Sequence, residues 1–337
     1  MRAAVCPQYG PPDVVRIHDQ PSPAVDAGQV RVRVANAAVN FPDVLLIAGQ
    51  YQVTVPVPFV PGSEFSGLII ETGSGVTDFS VGDRVTGTGM FGAFAEEVTV
   101  DPAGLARIPD GVDDQTAAAF GVAYRTAYHT LRSVARVKSG DEVVVLGAGG
   151  GVGLAAVQLG AQLGASVTAV ASTDEKLDTA VSYGARHAIN HRSGALRDAL
   201  REAFPGGVDA VVDPVGGDVS EPALRSLRRG GRFVTVGFAS GVIPRIPLNL
   251  VLVKGIHVLG FQFQDVPADE FARNEDELRE LLVNGAVRPH VGAVYPLSET
   301  VQALEHVAGG RAIGKILIDL TPRAREKLAG GDQVRGD

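Results

Sequence analysis

The chain has 337 residues, 45% of them apolar and 20% charged, with a formal net charge of −8 and one cysteine, Cys6. That length suits two ordinary domains better than one. The negative balance excludes a broad nucleic-acid surface, and a lone cysteine excludes intrachain disulfides and thiolate-rich zinc sites.

The N-terminal stretch MRAAVCPQYG lacks the apolar core of a signal peptide, so a cytoplasmic protein is expected. Residues 29–39, QVRVRVANAAV, alternate apolar and polar at period two, the mark of a half-buried antiparallel strand. SGLIIETG, GDRVTG, AFAEEVTV and LARIP follow as short strands, with prolines at 56, 58, 61, 102 and 109 at turns or edges between them. This first part predicts a β barrel or sandwich. Near residue 115 the texture changes to an alanine-rich helix, QTAAAFGVAYRTAYHTLRSVA. Strands 143–146, 166–171, 187–190, 208–213, 232–236 and 255–261 then alternate with helices 151–163, 174–183, 195–203 and 219–229, as a doubly wound parallel sheet requires. An acidic amphipathic helix, ADEFARNEDELRELLVNG, leads to strand VGAVYPL, helix SETVQALEHVAGG and strand KILIDL. The tail PRAREKLAGGDQVRGD is expected to fray.

Val143 to Thr173 carries no charged residue and is long enough to span a bilayer. Seven glycines interrupt it, together with Gln158, Gln162, Ser166 and Thr168, and both its ends have strand composition. It reads as a buried strand–helix–strand unit, and no membrane segment is expected.

At the head of that unit stands VVVLGAGGGVG. Glycines between a strand and a helix permit a tight turn and close approach of backbone to a pyrophosphate, while the helix N-terminus offers unpaired N–H groups to it. The register that fits the helix start is Ala148-x-Gly150-Gly151-Val152-Gly153, with alanine in the first place. The second strand ends at Ala171 and Ser172, with no carboxylate to grip a ribose hydroxyl or repel a 2′-phosphate. Lys176 and His191 stand near as donors, and Arg192 follows. NADP(H) is therefore the expected cofactor. Gly237, Phe238 and Ser240, in the GFASG stretch after the fifth strand, lie where the nicotinamide half should rest.

VNFPDVLLIAGQYQ and PFVPGSEFSG in the first part, GAGGGVG, DPVGG and GGRFVTVGFASG in the second, and RAIGKILI near the end resemble the medium-chain dehydrogenase/reductase superfamily, in its zinc-free quinone oxidoreductase (zeta-crystallin-like) branch. The resemblance runs in order from residue 1 to about 320. It implies a GroES-like β-rich catalytic domain, residues 1–122 and 266–337, with a Rossmann dinucleotide-binding domain, residues 123–265, inserted in it. It also implies that Asn40, Asp43 and Tyr51 line the acceptor pocket, that Thr126 lies near the cofactor phosphates, and that Arg311 and Lys315 lie within reach of the cofactor. Asp43 reads equally as a helix-capping carboxylate, and Tyr51 as an exposed loop tyrosine.

Zinc-dependent relatives carry histidine where this chain has Ser63 and cysteine where it has Asn40. Ser and Asn are poor zinc ligands, so no metal is expected. Without that Lewis acid, the expected reaction is hydride transfer from NADPH to an acceptor that delocalises charge itself, a quinone or an α,β-unsaturated carbonyl. An enoyl-thioester (acyl-CoA) reductase is the near alternative, with Arg245 and Lys254 as candidates for the CoA phosphates. A non-catalytic NADPH-binding protein is the third. A homodimer is expected through pairing of the sixth strand, GIHVLGF, across a two-fold axis.

Overall fold

A computed structural model of the chain describes residues 1–321. The tail expected to fray lies outside the described residues. Within them, fifteen strands form one two-stranded, one six-stranded and one seven-stranded sheet.

The first part contributes β1 (Arg2–Val5) and β2 (Arg16–Asp19), paired as a hairpin, then β3 (Val30–Val39), β4 (Glu64–Thr72), β5 (Arg84–Thr88), β6 (Glu97–Val100) and β7 (Leu105–Arg107). The ten-residue β3 is the spine of the larger sheet. One edge pairs β4. The other is shared, with Val30–Arg33 on β6 and Asn36–Val39 on β15 (Lys315–Asp319), a strand from the far end of the chain. β14 (Val291–Pro296) extends the sheet by pairing parallel to β15. Alternate residues of β3, Val30, Val32 and Val34, are fully buried, as the period-two pattern dictates. Helix α1 (Phe41–Ile47) follows β3 directly and opens with Asn40 as N-cap.

The six-stranded sheet is wholly parallel, in the order β10 (His187–Asn190), β9 (Ser166–Ala171), β8 (Glu142–Leu146), β11 (Val208–Asp213), β12 (Leu227–Thr235), β13 (His257–Gly260). That is the doubly wound dinucleotide order. β8 is apolar on both faces because both are covered. Val143 and Val145 pack into the core beneath α2 (Asp114–His129) and α3 (Gly151–Gln162), while Val144 and Leu146 pack into the core beneath α5 (Leu196–Ala203) and α6 (Ser220–Ser226). α4 (Asp174–Ser182) crosses from β9 to β10.

The structure departs from the pattern reading in two places. β12 begins at Leu227 rather than 232, with a register shift between Val208 and Ala210 of its partner where Gly230 adopts a positive φ. LNLVLVK, unassigned from its pattern, forms α7 (Leu248–Lys254). α8 (Ala268–Val283) docks on α2 through Arg125–Glu275 and Tyr128–Glu277 contacts and a buried His129 stacked on Phe271. α9 (Thr300–Ala308) then leads back to β15.

Candidate active site and cofactor cradle

The glycine loop joins β8 to α3, and Gly150 is the helix N-cap. Two positions in it tolerate only glycine. Gly147 holds φ +61, and a Cβ on Gly153 would sit 2.1 Å from the Gly147 carbonyl oxygen. The positive-φ turn thus falls to Gly147, one residue before the register read from the sequence, which explains why Ala148 is accepted there, fully buried. Val152 packs against the core of the same domain. N–H groups in the first turn of α3 lack helical partners, a donor set that fits a pyrophosphate.

At the end of β9, Ser172 is half-buried and Thr173 caps α4 by accepting from the Lys176 amide. Lys176 is not the solvated lysine its helix position allows. Its stem lies over Gly149 and its ammonium donates to the Gly310 carbonyl at 2.6 Å. Burial, then the charge of Arg192, lowers its pKa. Burial, with Arg192 and Lys176 adding to it, also holds the His191 imidazole below its ordinary range. Three nitrogen bases therefore gather beyond Ala171 with no carboxylate at the strand end. Asp174, which might have opposed them, accepts from the Asn190 side chain instead.

Beyond the ends of β11 and β12, two loops are laced together. Gly217 donates to the Val242 carbonyl, Ala239 to Pro214 and Ser240 to Val215. Asp213, fully buried at the end of β11, accepts from the Val215 and Gly216 amides, both at 2.8 Å, and from Ser220 Oγ at 2.6 Å. Gly237 and Phe238 are half-buried in this wall and Ser240 is exposed. Phe261 is a core residue. Phe263 packs edge-on to it and lies beneath the Arg125 guanidinium. Arg311 is exposed, and Thr126 is buried in α2.

Asn40 and Asp43 belong to a buried polar cluster whose extent the sequence did not announce. Asn40 and Asp43 stand at either end of the first turn of α1, where the Asn40 backbone amide donates to Asp43 Oδ2 at 2.7 Å. The capping role read for Asp43 is the one its geometry shows. The Asn40 side-chain amide donates to Ser63 Oγ at 3.3 Å and to Glu64 Oε2 at 3.2 Å. Its oxygen accepts from Lys315 Nζ at 2.5 Å. Lys315 also pairs with Glu64 at 3.0 Å, and the other Glu64 oxygen accepts from the Val122 amide of α2 at 2.6 Å. Glu64 and Lys315 are 0% and 4% exposed. Burial pushes the Asp43 carboxyl up to about 7, against the pull of the Asn40 amide, Ser63 and Lys315. Tyr51 is half-buried and packs against the hydrophobic core of the seven-stranded sheet rather than standing free in its loop.

The sequence did not single out Glu64 at all, and it read Lys315 toward the cofactor and Ser63 only as a missing zinc ligand, not as members of one cluster with Asn40. The available signal was a charged residue inside each of two apolar strands, PGSEFSG and GKILIDL. The two sites meet at one seam. The Gly314 amide donates to the Gly149 carbonyl at 2.8 Å, and the Lys315 stem runs so close to the start of α3 that a Cβ on Gly151 would lie 2.9 Å from it.

These donors do not fit zinc. Among the described residues no group of three or more His, Cys, Asp or Glu side chains is placed to hold a metal ion, and an ammonium already lies between Asn40 and Glu64. His187 and His191 have HxxxH spacing, but on extended backbone four residues separate two side chains by roughly 13 Å. No helix among the described residues is long and apolar enough to cross a membrane.

Residues 26–110 match the family model of the alcohol dehydrogenase GroES-like domain, and residues 151–280 that of zinc-binding dehydrogenase. The chain is 39% identical over 326 residues to quinone oxidoreductase-like protein 2 of Mus musculus, covering 95% of this chain and 92% of that protein. Among solved structures it resembles a mycobacterial protein complexed with NADPH, at TM-score 0.88 and 32% identity over 95% of this chain and 99% of the other. It also resembles Escherichia coli quinone oxidoreductase complexed with NADPH, at TM-score 0.88 and 26% identity over 95% and 100%. With its GroES-like and Rossmann sheets and this degree of likeness, the chain belongs to the medium-chain dehydrogenase/reductase superfamily, in its quinone oxidoreductase-like branch.

Proposed function

We propose that this oxidoreductase reduces a quinone or an α,β-unsaturated carbonyl with NADPH, without zinc, as a cytoplasmic homodimer. The observation that carries the reading is the seam, where a glycine cradle and a buried polar cluster share the residues Gly314 and Lys315. When bound, the dinucleotide supplies the hydride. The protein's part is placement. The α3 N-terminus holds the pyrophosphate, the laced loops at 213–217 and 237–242 wall the nicotinamide side, and the Asn40 cluster orients the acceptor. Lys315 stands where a catalytic cation would, so the cluster keeps a positive charge without a metal. Ser172, Lys176 and His191, with Arg192 beside them, would receive the 2′-phosphate.

We also propose the division into a Rossmann domain at 123–265 and a catalytic domain formed by the flanking segments. The homodimer would form through β13, the edge strand of the parallel sheet, together with α7, whose Leu248, Leu252 and Val253 are 76%, 83% and 67% exposed. For the acyl-CoA alternative, Lys254 is already spent on the Arg225 and Leu227 carbonyls, whereas Arg245 lines a cavity of about 520 Å³ with Arg197 and Arg225.

The test is titration with NADPH and with NADH, followed by 1,4-benzoquinone and crotonyl-CoA as acceptors. Binding that favours NADPH, with oxidation by benzoquinone, supports the reading. Preference for NADH sinks the phosphate assignment, and binding without turnover sinks the enzyme. Because His191 is held neutral in the free protein, a phosphate beside it would draw a proton. NADPH affinity should therefore rise as pH falls from about 8 to about 6 while NADH affinity stays flat, and His191→Ala should remove the slope.

A further inference from the structure

Lysine only donates hydrogen bonds, so the contact from Lys315 fixes which end of the Asn40 amide is oxygen. The amide nitrogen must then face Ser63 and Glu64, with the Ala38 carbonyl a longer third contact at 3.5 Å, and its two hydrogens are taken up within the cluster. Asn40 has nothing left to offer an acceptor. Ser63 differs. It is half-buried where Asn40, Asp43 and Glu64 are buried, and its oxygen already accepts from Asn40, so its own hydrogen can turn outward whenever the neighbouring Asp43 carboxyl is neutral and does not draw it.

We propose that Lys315, Asn40 and Ser63 form a directed hydrogen-bond chain that makes the Ser63 hydroxyl the donor to the acceptor's oxygen. This deepens the reductase reading and rests on it. When hydride adds to the conjugated acceptor, the new C–H bond takes the two electrons of the donor C–H bond. The displaced pair collects on the acceptor oxygen, and a solvent proton later neutralises it. Ser63 meets that oxygen as its charge grows. Lys315 at the head of the chain polarises each donor in turn, in a site where charge is poorly screened. The Asp43 carboxyl lies close enough to compete for the Ser63 hydrogen once it ionises, and Glu64 and Lys315 are the other charges facing it.

The experiment compares wild type with Ser63→Ala, Ser63→Thr, Asp43→Asn and the charge-balanced pair Glu64→Gln with Lys315→Met, which leaves no unpaired buried charge. Removing one such donor should cost about 100-fold in kcat with benzoquinone, with NADPH affinity unchanged, and Ser63→Thr should restore most of it. The double variant should fall in the same direction. Wild-type kcat should decline above about pH 7 and that of Asp43→Asn should not. A second readout needs no turnover. The NADP⁺ complex of wild type should bind 4-nitrophenol as its yellow phenolate, and Ser63→Ala should bind it at least about tenfold more weakly. Equal kcat and equal phenolate binding in folded Ser63→Ala overturn the chain. An inactive wild type that still binds the phenolate through Ser63 overturns the reductase reading and leaves the donor assignment standing.

Discussion

At the scale of single residues, Asp43 is the most consequential group. Its folded pKa of about 7 lies above the roughly 3.9 of an unfolded aspartate, so between those values the native chain holds a proton that the unfolded chain has lost. Stability conferred by the neutral acid is complete below about pH 4 and is lost as pH rises through about 7, at up to about 1.4 kcal/mol per pH unit. Urea midpoints measured across that range should fall for wild type, and the part due to Asp43 should vanish in Asp43→Asn. A wild-type slope retained in full by the variant would assign it elsewhere. Much of this chemistry is hidden in the sequence. The motif around Asn40 and Asp43 is local and could be read. The contact from Lys315 to Asn40 spans 275 residues and exists only because β15 pairs with β3, which no periodicity reveals.

Secondary-structure elements were far more legible, because burial on one or both faces writes itself into the pattern. The six parallel strands and their crossovers follow from uninterrupted apolar runs split by helical spacing. α7 was missed since LNLVLVK is a short apolar run with no polar face, and five of its seven residues are exposed or half-exposed hydrophobics. The early start of β12 was missed since Arg228-Arg229-Gly230-Gly231 has the composition of a turn. α3 packs tightly on the end of β8. Gly153→Ala would drive a methyl into the Gly147 carbonyl and should destabilise the fold by about 3 kcal/mol, while weakening NADPH binding by displacing the cradle. Thermal melts with and without NADPH check both parts. An unchanged melting temperature would mean that α3 can slide away from β8.

For the whole molecule, the open edge at β13 and the apolar face of α7 lie on the side of the parallel sheet remote from β10. Leu252→Asp should convert a dimer to a monomer in sedimentation without altering NADPH binding, since the cradle lies on the other half of the sheet. A dimer that survives the substitution would place the interface elsewhere. The insertion of one domain within the other also has a consequence for the order in which a ribosome delivers the parts. The residues proposed to surround the cofactor's phosphates, from Gly147 to His191, emerge with their own strands and helices and can pack as soon as that sheet is complete. The acceptor cluster cannot. Asn40, Ser63 and Glu64 are made early and wait, with Glu64 lacking its counter-ion, until β15 arrives as the last strand of the described chain. A nascent chain halted short of Lys315 therefore holds a nearly finished cradle beside an unfinished pocket, and the final strand completes both the sheet and the charge balance in one step.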